Sequence, residues 1–293
     1  MSSTEAIAAG ASAEAIQHHY DVGNAFYRLW LDPRLLYSCA LYEEGDDLER
    51  AQVRKLDYHI RESGAAGKDR VLDIGCGWGA LLNRMVSAHG VREAVGLTLS
   101  QEQADYVRAT ARPEVEVRLE PWQEHKPEAP YDAIVSVGAF EHFADLEQTP
   151  EEKIEGYRHF FRTCHRFLKP GGKISLQTMA YGDMPRDRKH SDLFIAEEIF
   201  PESDLPRLAD IALASEGIFQ IELVHNHNQM YARSMREWFD NLRAKRDEAV
   251  ALVGEDIVKR YERYLRTFSY SFELGAFLLY RITLRRLDRA QLT

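Results

Sequence analysis

The fold of this chain is decided by the stretch Val71-Leu72-Asp73-Ile74-Gly75-Cys76-Gly77-Trp78-Gly79-Ala80-Leu81-Leu82. An apolar run with an acid, three alternating glycines and a second apolar run predict a strand, a tight turn and the start of a helix. Glycine lets the backbone approach a ligand closely, and the first turn of a helix offers N–H groups without backbone partners. The stretch therefore predicts a nucleotide-like ligand at the carboxyl edge of a parallel sheet.

The glycine turn is compatible with two kinds of ligand. Its glycines match the dinucleotide fingerprint, but that fingerprint expects an acid roughly 20 residues further on to hold the ribose hydroxyls. The next predicted strand, residues 94–100, has no acid at its end, whereas Asp73 lies where its carboxylate can meet a ligand ammonium or ribose. The D-x-G-x-G-x-G pattern resembles motif I of class I S-adenosylmethionine (SAM) methyltransferases. A turn of this kind also occurs as an ordinary strand–helix connection, so other motifs have to decide.

Composition narrows the class of protein. The chain has 293 residues, of which 45% are hydrophobic and 29% charged, which suits one large or two small α/β domains with a proper core. A net charge of −10 argues against nucleic-acid binding and disfavours adsorption to anionic membranes. The three cysteines, Cys39, Cys76 and Cys164, have neither disulfide-scaffold nor zinc spacing.

Local features of the sequence exclude further classes of protein and of site. The sequence has no secretory signal and no apolar run near the roughly 18 residues that span a bilayer, so we expect a cytoplasmic protein without integral membrane association. His225 and His227 have no further ligand at metal-binding spacing, and we expect no metal site. Arg281, Arg285 and Arg286 are interpreted as a solvated face.

Strands and helices alternate through the middle of the chain. The predicted strands are 70–74, 93–98, 115–119, 131–137 and 172–178, and the predicted helices are 80–89, 100–110 and 151–168. This rhythm predicts an α/β fold with a mostly parallel, doubly wound, Rossmann-like sheet. Further predicted elements are a helix over 205–217, a strand over 219–225, a long helical stretch over 234–272, and a strand or helix over 276–286.

We expect one domain over residues 1–293 with three parts. Residues 1–66 would form an N-terminal helical lid, in which 15–31 and 48–63 have helical patterns. Residues 67–180 would form the cofactor-binding core, and 181–293 a helical cap with closing strands.

Segments spread over nearly the whole chain resemble one family, the cyclopropane fatty acid synthases and mycolic acid methyltransferases. In chain order they are His18-His19-Tyr20-Asp21-Val22-Gly23-Asn24, Trp30-Leu31-Asp32-Pro33, Leu36-Tyr37-Ser38-Cys39-Ala40, motif I, Gly96-Leu97-Thr98-Leu99-Ser100 with Gln103, Val137-Gly138-Ala139-Phe140-Glu141-His142-Phe143, and Tyr231 with Trp238. Their order and spacing are similar to those of the family. The resemblance implies a class I methyltransferase fold with helical insertions and SAM as cofactor.

The resemblance also implies which residues hold the methionine half of SAM. Tyr37 and Ser38 would close over SAM from the lid. Asp73, Gly75 and Gly77 would hold its methionine half.

The nucleoside half of SAM is assigned in the same way. Thr98 and Gln103 would meet the ribose, two neutral hydrogen-bonding groups in place of an acid. Trp122 would lie against the adenine, since an aromatic face stacks well on a base, and the alternative is a half-buried loop aromatic. Val137, at the start of the segment Val137-Gly138-Ala139-Phe140-Glu141-His142-Phe143, is counted with the cofactor-binding residues.

Catalysis in the family passes through a cation. An alkene attacks the SAM methyl group, positive charge develops on carbon, and a base, in many members a bound bicarbonate, removes a proton. The family holds this anion with a Cys, a Glu, a His and a Tyr, and Cys39, Glu141 and Tyr231 fall on three of these positions. Gln177 stands where the family has the histidine, and an amide carries no proton charge at neutral pH. Either neutral donors bind bicarbonate here, or the enzyme does not need that base.

The sequence thus predicts a SAM-dependent methyltransferase acting on an electron-rich carbon of a lipophilic or unsaturated substrate through a cationic intermediate. The alternative is C- or N-methylation of a small specialised metabolite without cyclopropane formation, which the acidic composition and Gln177 favour. A SAM-binding scaffold without activity is a third interpretation, and Glu141 and Tyr231 argue against it. The expected partner is a small-molecule or acyl substrate, and a homo-oligomer is compatible with the sequence.

Overall fold

A seven-stranded sheet forms the centre of the computed structural model, which describes residues 22–145, 147–182 and 204–288. In chain order the strands are β1 (Arg70–Ile74), β2 (Glu93–Thr98), β3 (Val115–Leu119), β4 (Tyr131–Val137), β5 (Leu168–Tyr181), β6 (Phe219–Asn226) and β7 (Phe277–Arg286). They lie side by side in the order β3-β2-β1-β4-β5-β7-β6. The first five strands are parallel, and β7 runs antiparallel to both β5 and β6. This is the predicted mostly parallel, doubly wound α/β sheet.

Nine helices are described within these ranges. They are α1 (Asn24–Trp30), α2 (Leu48–Ser63), α3 (Ala80–His89), α4 (Gln101–Thr110), α5 (Pro150–Phe167), α6 (Leu208–Ser215), α7 (Asn228–Ala244), α8 (Arg246–Val253) and α9 (Glu255–Glu273), with a 3₁₀ turn at Phe140–Phe143. None of these helices is long and apolar enough to cross a membrane.

Both faces of the sheet are covered, as the apolar strands require. Leu72 and Ile74 of β1 pack in a cluster with the aromatic face of α5, whereas Val71 packs in a second cluster with residues of α2 and α3. Successive side chains of a strand point to opposite faces, so these two clusters lie on opposite sides of β1.

The predicted elements agree with the structure over most of the described residues: two elements differ in their bounds, and an open choice between strand and helix is decided. The stretch predicted as one long helix is divided into α7, α8 and α9, because the chain leaves helical geometry at Lys245 and at Gly254, where φ is +87°. The last segment is a strand, β7. β5 is longer than predicted and starts at Leu168, directly after α5. Residues 15–21 of the first predicted helix and most of the irregular segment after 181 lie outside the described residues.

An aromatic cluster joins the beginning of the described chain to its last helices. Trp30 of α1 and Trp238 of α7 are fully buried, and the Tyr27 and Tyr261 hydroxyls are 2.9 Å apart. The Ser234 hydroxyl accepts a hydrogen bond of 3.1 Å from the backbone N–H of Ala40. Residues 36–40, which follow α1, are therefore held against α7 at a defined place beside the sheet.

Gly75 provides a test of how tightly the turn after β1 is packed. Its φ is +84°, and a Cβ there would lie 2.6 Å from the Cβ of Ala139. Gly90 has a similar φ of +67° with open space around it, so it serves as a matched control. We expect Gly75→Ala to cost about 1–3 kcal/mol more than Gly90→Ala, because only the first adds overpacking to the left-handed backbone penalty. Urea unfolding of both variants measures the difference, and equal losses would contradict this packing.

Candidate active site

The predicted cofactor residues meet in a cleft at the carboxyl ends of β1 and β4. The cleft contains about 510 Å³ of empty space, part of it open to solvent. Seven of the residues predicted to hold the cofactor line it: Tyr37, Ser38, Asp73, Gly75, Gly77, Gln103 and Val137. This is the position at which open α/β sheets bind their ligands.

The glycine turn is fixed to the neighbouring strand by its own backbone. The N–H groups of Gly75 and Cys76 both donate to the carbonyl oxygen of Leu97, at 3.0 and 2.9 Å. Gly96 makes this approach possible, since a Cβ at that position would lie 2.7 Å from the Cys76 sulfur. Cys76 thus packs as a small apolar residue beneath the turn.

Asp73 presents a carboxylate oxygen that has no hydrogen-bond partner. The side chain is buried, and its Oδ1 atom accepts no hydrogen bond from any described residue. Burial raises the pKa of this carboxyl to about 7, and the nearby Lys55 ammonium opposes the shift. An unpartnered carboxylate in a cleft suits a ligand that brings an ammonium or hydroxyl group, which fits the amino-acid half of SAM.

Thr98 and Gln103 act as a pair. The Thr98 hydroxyl donates to Gln103 Oε1 at 2.8 Å, so the amide oxygen is occupied and the amide nitrogen is the group left to donate to a ligand. Gln103 lines the cleft, whereas Thr98 contacts Gln103 and is not among the lining residues. The predicted ribose contact remains a prediction, with Gln103 better placed to make it than Thr98.

Trp122 is not among the residues that line the cleft. It follows β3 and packs against Phe143, His159 and Phe160, with ring centroids 5.3–5.4 Å away. The contact with adenine stays a prediction, and the observed environment is that of a mostly buried loop aromatic.

Glu141 lies in the 3₁₀ turn after β4. Its Oε1 atom accepts a hydrogen bond of 2.6 Å from the backbone N–H of Met179, and its Oε2 atom has no partner among the described residues. Burial raises the pKa of the carboxyl to about 7. Because Ala139 of the same loop touches Gly75, the carboxylate belongs to the loop that borders the glycine turn.

Cys39 and Gln177 are joined by a residue that the sequence did not single out for the site. Arg281 of β7 is fully buried, and it donates from Nε to Gln177 Oε1 at 2.8 Å and from Nη2 to the carbonyl oxygen of Cys39 at 2.9 Å. The prediction that Arg281 belongs to a solvated face is therefore wrong, because β7 lies between two other strands and its inward side chains are covered. Burial raises the pKa of the Cys39 thiol, which keeps it protonated.

Tyr231 lies on α7, among the aromatic residues that join the beginning of the described chain to its last helices. Its ring centroid is 4.5 Å from that of Phe272 and 6.1 Å from that of Trp238. A phenol in an aromatic wall suits the lining of an apolar substrate site, which is compatible with its predicted role.

The sequence motifs also did not indicate two polar residues of α2, Lys55 and His59. The Lys55 ammonium donates to Ser38 Oγ at 2.7 Å, and burial lowers its pKa to about 7. His59, one turn later, contacts Ser175 Oγ at 2.8 Å and Gln177 Oε1 at 3.3 Å. Lys55 and His59 are four residues apart, a spacing that places two polar side chains on one face of a helix. The same spacing is ordinary on an exposed helix, so it does not by itself indicate a site.

The sheet order, the glycine turn and the acid of β1 define the class I SAM-dependent methyltransferases. The sequence matches the family described as mycolic acid cyclopropane synthetase over residues 8–282, and the chain belongs to this family. Cyclopropane mycolic acid synthase 3 of Mycobacterium tuberculosis is 35% identical to it over 278 residues, which cover 89% of this chain and 92% of the relative.

Solved structures agree with this assignment. The cyclopropane synthase MmaA2 from Mycobacterium tuberculosis has a TM-score of 0.85 and 32% identity, covering 94% of this chain and 99% of the other. The mycolic acid cyclopropane synthase CmaA1, complexed with SAH and CTAB, has a TM-score of 0.84 with the same identity and coverage. The chain is an enzyme of the SAM-dependent methyltransferase class, as the sequence predicted.

We expect Asp73 to make cofactor affinity depend on pH. Its carboxyl has a pKa of about 7, so the carboxylate that attracts a ligand ammonium is present above pH 7 and lost below it. Calorimetry with S-adenosylhomocysteine, which carries this ammonium, should show an affinity about tenfold higher at pH 8 than at pH 6. Lys55 loses its charge over the same range and acts in the same direction.

The matched variants separate these contributions. Asp73→Asn should weaken the binding of S-adenosylhomocysteine at pH 8. It should also remove the larger part of the increase in affinity between pH 6 and pH 8. Asp69→Asn changes an exposed acid paired with Arg92 and should leave the profile intact. An affinity that is independent of pH in the wild-type enzyme would contradict the role of Asp73.

Proposed function

We propose that this enzyme transfers the methyl carbon of SAM to the double bond of a lipophilic acyl substrate and forms a cyclopropane or methylated product. The observation that carries the proposal is the buried Glu141 carboxylate, whose Oε2 atom has no hydrogen-bond partner among the described residues and which belongs to the loop that borders the glycine turn. Membership in a family described by cyclopropane synthesis supports the same chemistry. A retained carboxylate at this place has little use in a scaffold that binds SAM without activity.

The residues of the cleft suit the binding of SAM in one orientation. Asp73 would hold the ammonium, and the Gln103 amide nitrogen would donate to a ribose oxygen. Tyr37 and Ser38 would cover the ligand from the side of α2, where Gln52 Nε2 holds the Ser38 carbonyl at 2.9 Å. SAM supplies an electrophilic methyl group when it is bound. We also propose that residues 22–66 act as the lid of this site.

Glu141 would serve the second half of the reaction. A carboxylate in a buried site stabilises positive charge that develops on a neighbouring substrate carbon. With a pKa of about 7, the same group can accept the proton that leaves when the ring closes. The Cys39 thiol, which donates to the Ala40 carbonyl at 3.1 Å and is held protonated by burial, is proposed as a wall residue rather than a nucleophile.

Bicarbonate is the second candidate for the proton acceptor. Gln177 can offer a neutral amide N–H to such an anion in place of the family's histidine, and Tyr231 can offer a hydroxyl. We propose that Glu141 takes the proton directly, because its free oxygen needs no additional ion. Turnover in bicarbonate-free buffer should then equal turnover in buffer with bicarbonate added, and a rate that requires added bicarbonate would assign the base to the anion.

The function is tested by the product. The enzyme is incubated with SAM and either detergent-dispersed oleoyl phospholipid or an oleoyl thioester, and the acyl chains are analysed by mass spectrometry and proton NMR. A gain of one CH2 unit with the upfield signals of a cyclopropane ring supports the proposal. Methylation of small amines or phenols, with no change in any unsaturated chain, would favour the alternative of a small-metabolite methyltransferase.

Glu141→Gln tests the proposed base. Loss of general-base and charge-stabilising function should lower kcat by about 10²–10⁴-fold, while the affinity for S-adenosylhomocysteine stays within about twofold. The wild-type kcat should rise with pH up to about 7, as the carboxyl loses its proton. Glu151→Gln, at an exposed position in the first turn of α5, is the matched control and should retain full activity. Normal turnover of Glu141→Gln would exclude this role.

A further inference from the structure

We propose that Arg281 and His59 are positioning residues that fix the orientation of the Gln177 side-chain amide. Both contact its oxygen, so its nitrogen is left as a fixed, uncharged hydrogen-bond donor on the side of the sheet that carries the cleft. The ligand group that it would meet is an oxygen atom, either of the bound substrate or of a small oxyanion. This inference rests on the proposed function, and it concerns residues that the sequence motifs do not include.

The hydrogen bonds allow only one orientation of the amide. A guanidinium group only donates, so the atom of Gln177 that lies 2.8 Å from Arg281 Nε must be the oxygen. His59 Nε2 lies 3.3 Å from the same oxygen and must therefore carry a proton. His59 Nδ1 then accepts from the Ser175 hydroxyl at 2.8 Å, which makes the imidazole a single neutral tautomer.

The amide nitrogen of Gln177 is the free end of this arrangement. Both side-chain hydrogen bonds that Gln177 makes with described residues use its oxygen, and the residue is 1% exposed. Gln177 pairs with Val137 of the neighbouring strand, which lines the cleft, and its carbonyl accepts from the Gly138 N–H at 3.0 Å. His59 approaches from α2, one turn after Lys55, which also lines the cleft. The free donor therefore lies on the same side of the sheet as the cofactor cleft.

The surroundings of Arg281 keep the network in one charge state. Its partners are neutral: Gln177 Oε1, two backbone carbonyls, and Nδ1 of His227 at 2.7 Å. Burial and the Arg281 charge lower the pKa of His59 well below its usual value and that of His227 to about 4. The same causes lower the pKa of Lys55. A fixed positive charge thus keeps both histidines neutral, and the amide orientation persists across the physiological pH range.

Arg281 also ties the amide to the segment that follows α1. Its Nη2 atom donates to the carbonyl oxygens of Cys39 at 2.9 Å and of Ala40 at 3.2 Å. These residues directly follow Tyr37 and Ser38, which line the cleft. One guanidinium group therefore fixes the distance between the amide donor and the segment that covers the cofactor.

Two variants separate positioning from structural support. Gln177→Glu retains an oxygen acceptor for Arg281 and His59 but replaces the donor by an acceptor, so kcat should fall at least 30-fold with the melting temperature unchanged or higher. Arg281→Met should lower kcat at least tenfold while KM for SAM changes less than twofold, and Arg281→Lys should restore part of the loss. Arg285→Met, on the same strand but paired with Glu222 at the surface, should leave kcat unchanged.

A measurement without turnover tests the network directly. Nitrogen-15 NMR of the wild-type protein should show His59 protonated at Nε2 from pH 6 to 8 and slowly exchanging side-chain amide protons on Gln177. Arg281→Met should raise the pKa of His59 and speed that exchange. His59 protonated at Nδ1, or wild-type kcat in Gln177→Glu or Arg281→Met, overturns the proposal.

The two proposals fail in different ways. If the wild-type enzyme modifies no unsaturated chain but the NMR signals are as stated, the proposed function is wrong and the fixed amide stands. Assays with and without bicarbonate identify the oxygen: a rate that falls on bicarbonate removal assigns it to the oxyanion, and an unchanged rate assigns it to the substrate. In both cases Gln177→Glu should still lower kcat, because the proposal requires a hydrogen-bond donor at this position.

Discussion

Two backbone hydrogen bonds to one carbonyl oxygen, that of Leu97, are the constraint on which the rest of the site depends. They hold the N–H groups of Gly75 and Cys76 against β2 and so fix where the turn after β1 lies. The approach is possible because Gly96 has no side chain to collide with Cys76. Asp73, the cleft and the contact with Ala139 all take their positions from this turn.

Three buried ionisable groups in and beside the cleft titrate in the same pH range. Burial moves the pKa values of Asp73, Glu141 and Lys55 towards neutrality, each to about 7. When a cationic ligand binds, the acids of the site can therefore lose their protons at a small cost in free energy. This behaviour is typical of functional sites, where desolvation and a specific charge partner act on the same group.

The sequence predicted those parts of the molecule that local patterns determine. The alternation of strands and helices follows from apolar periodicity, and the turn follows from glycine spacing. The resemblance to the family, rather than a local pattern, implied most of the residues that line the cleft. Arg281 was misjudged because strand periodicity does not reveal that β7 inserts between β5 and β6. His59 and Lys55 were missed because a polar residue on a helix becomes part of a site only through partners distant in sequence.

The central place of β7 in the sheet has a consequence for how the protein is made. Ribosomes release the chain from its N-terminus, so the turn, the acid and the amide all emerge long before residue 281. Until β7 inserts, β5 has an open edge and Gln177 lacks the guanidinium that holds it. Before β7 is made, the nascent chain can therefore assemble only the parallel part of the sheet, up to β5. The hydrogen bonds around Gln177 are among the last features to form.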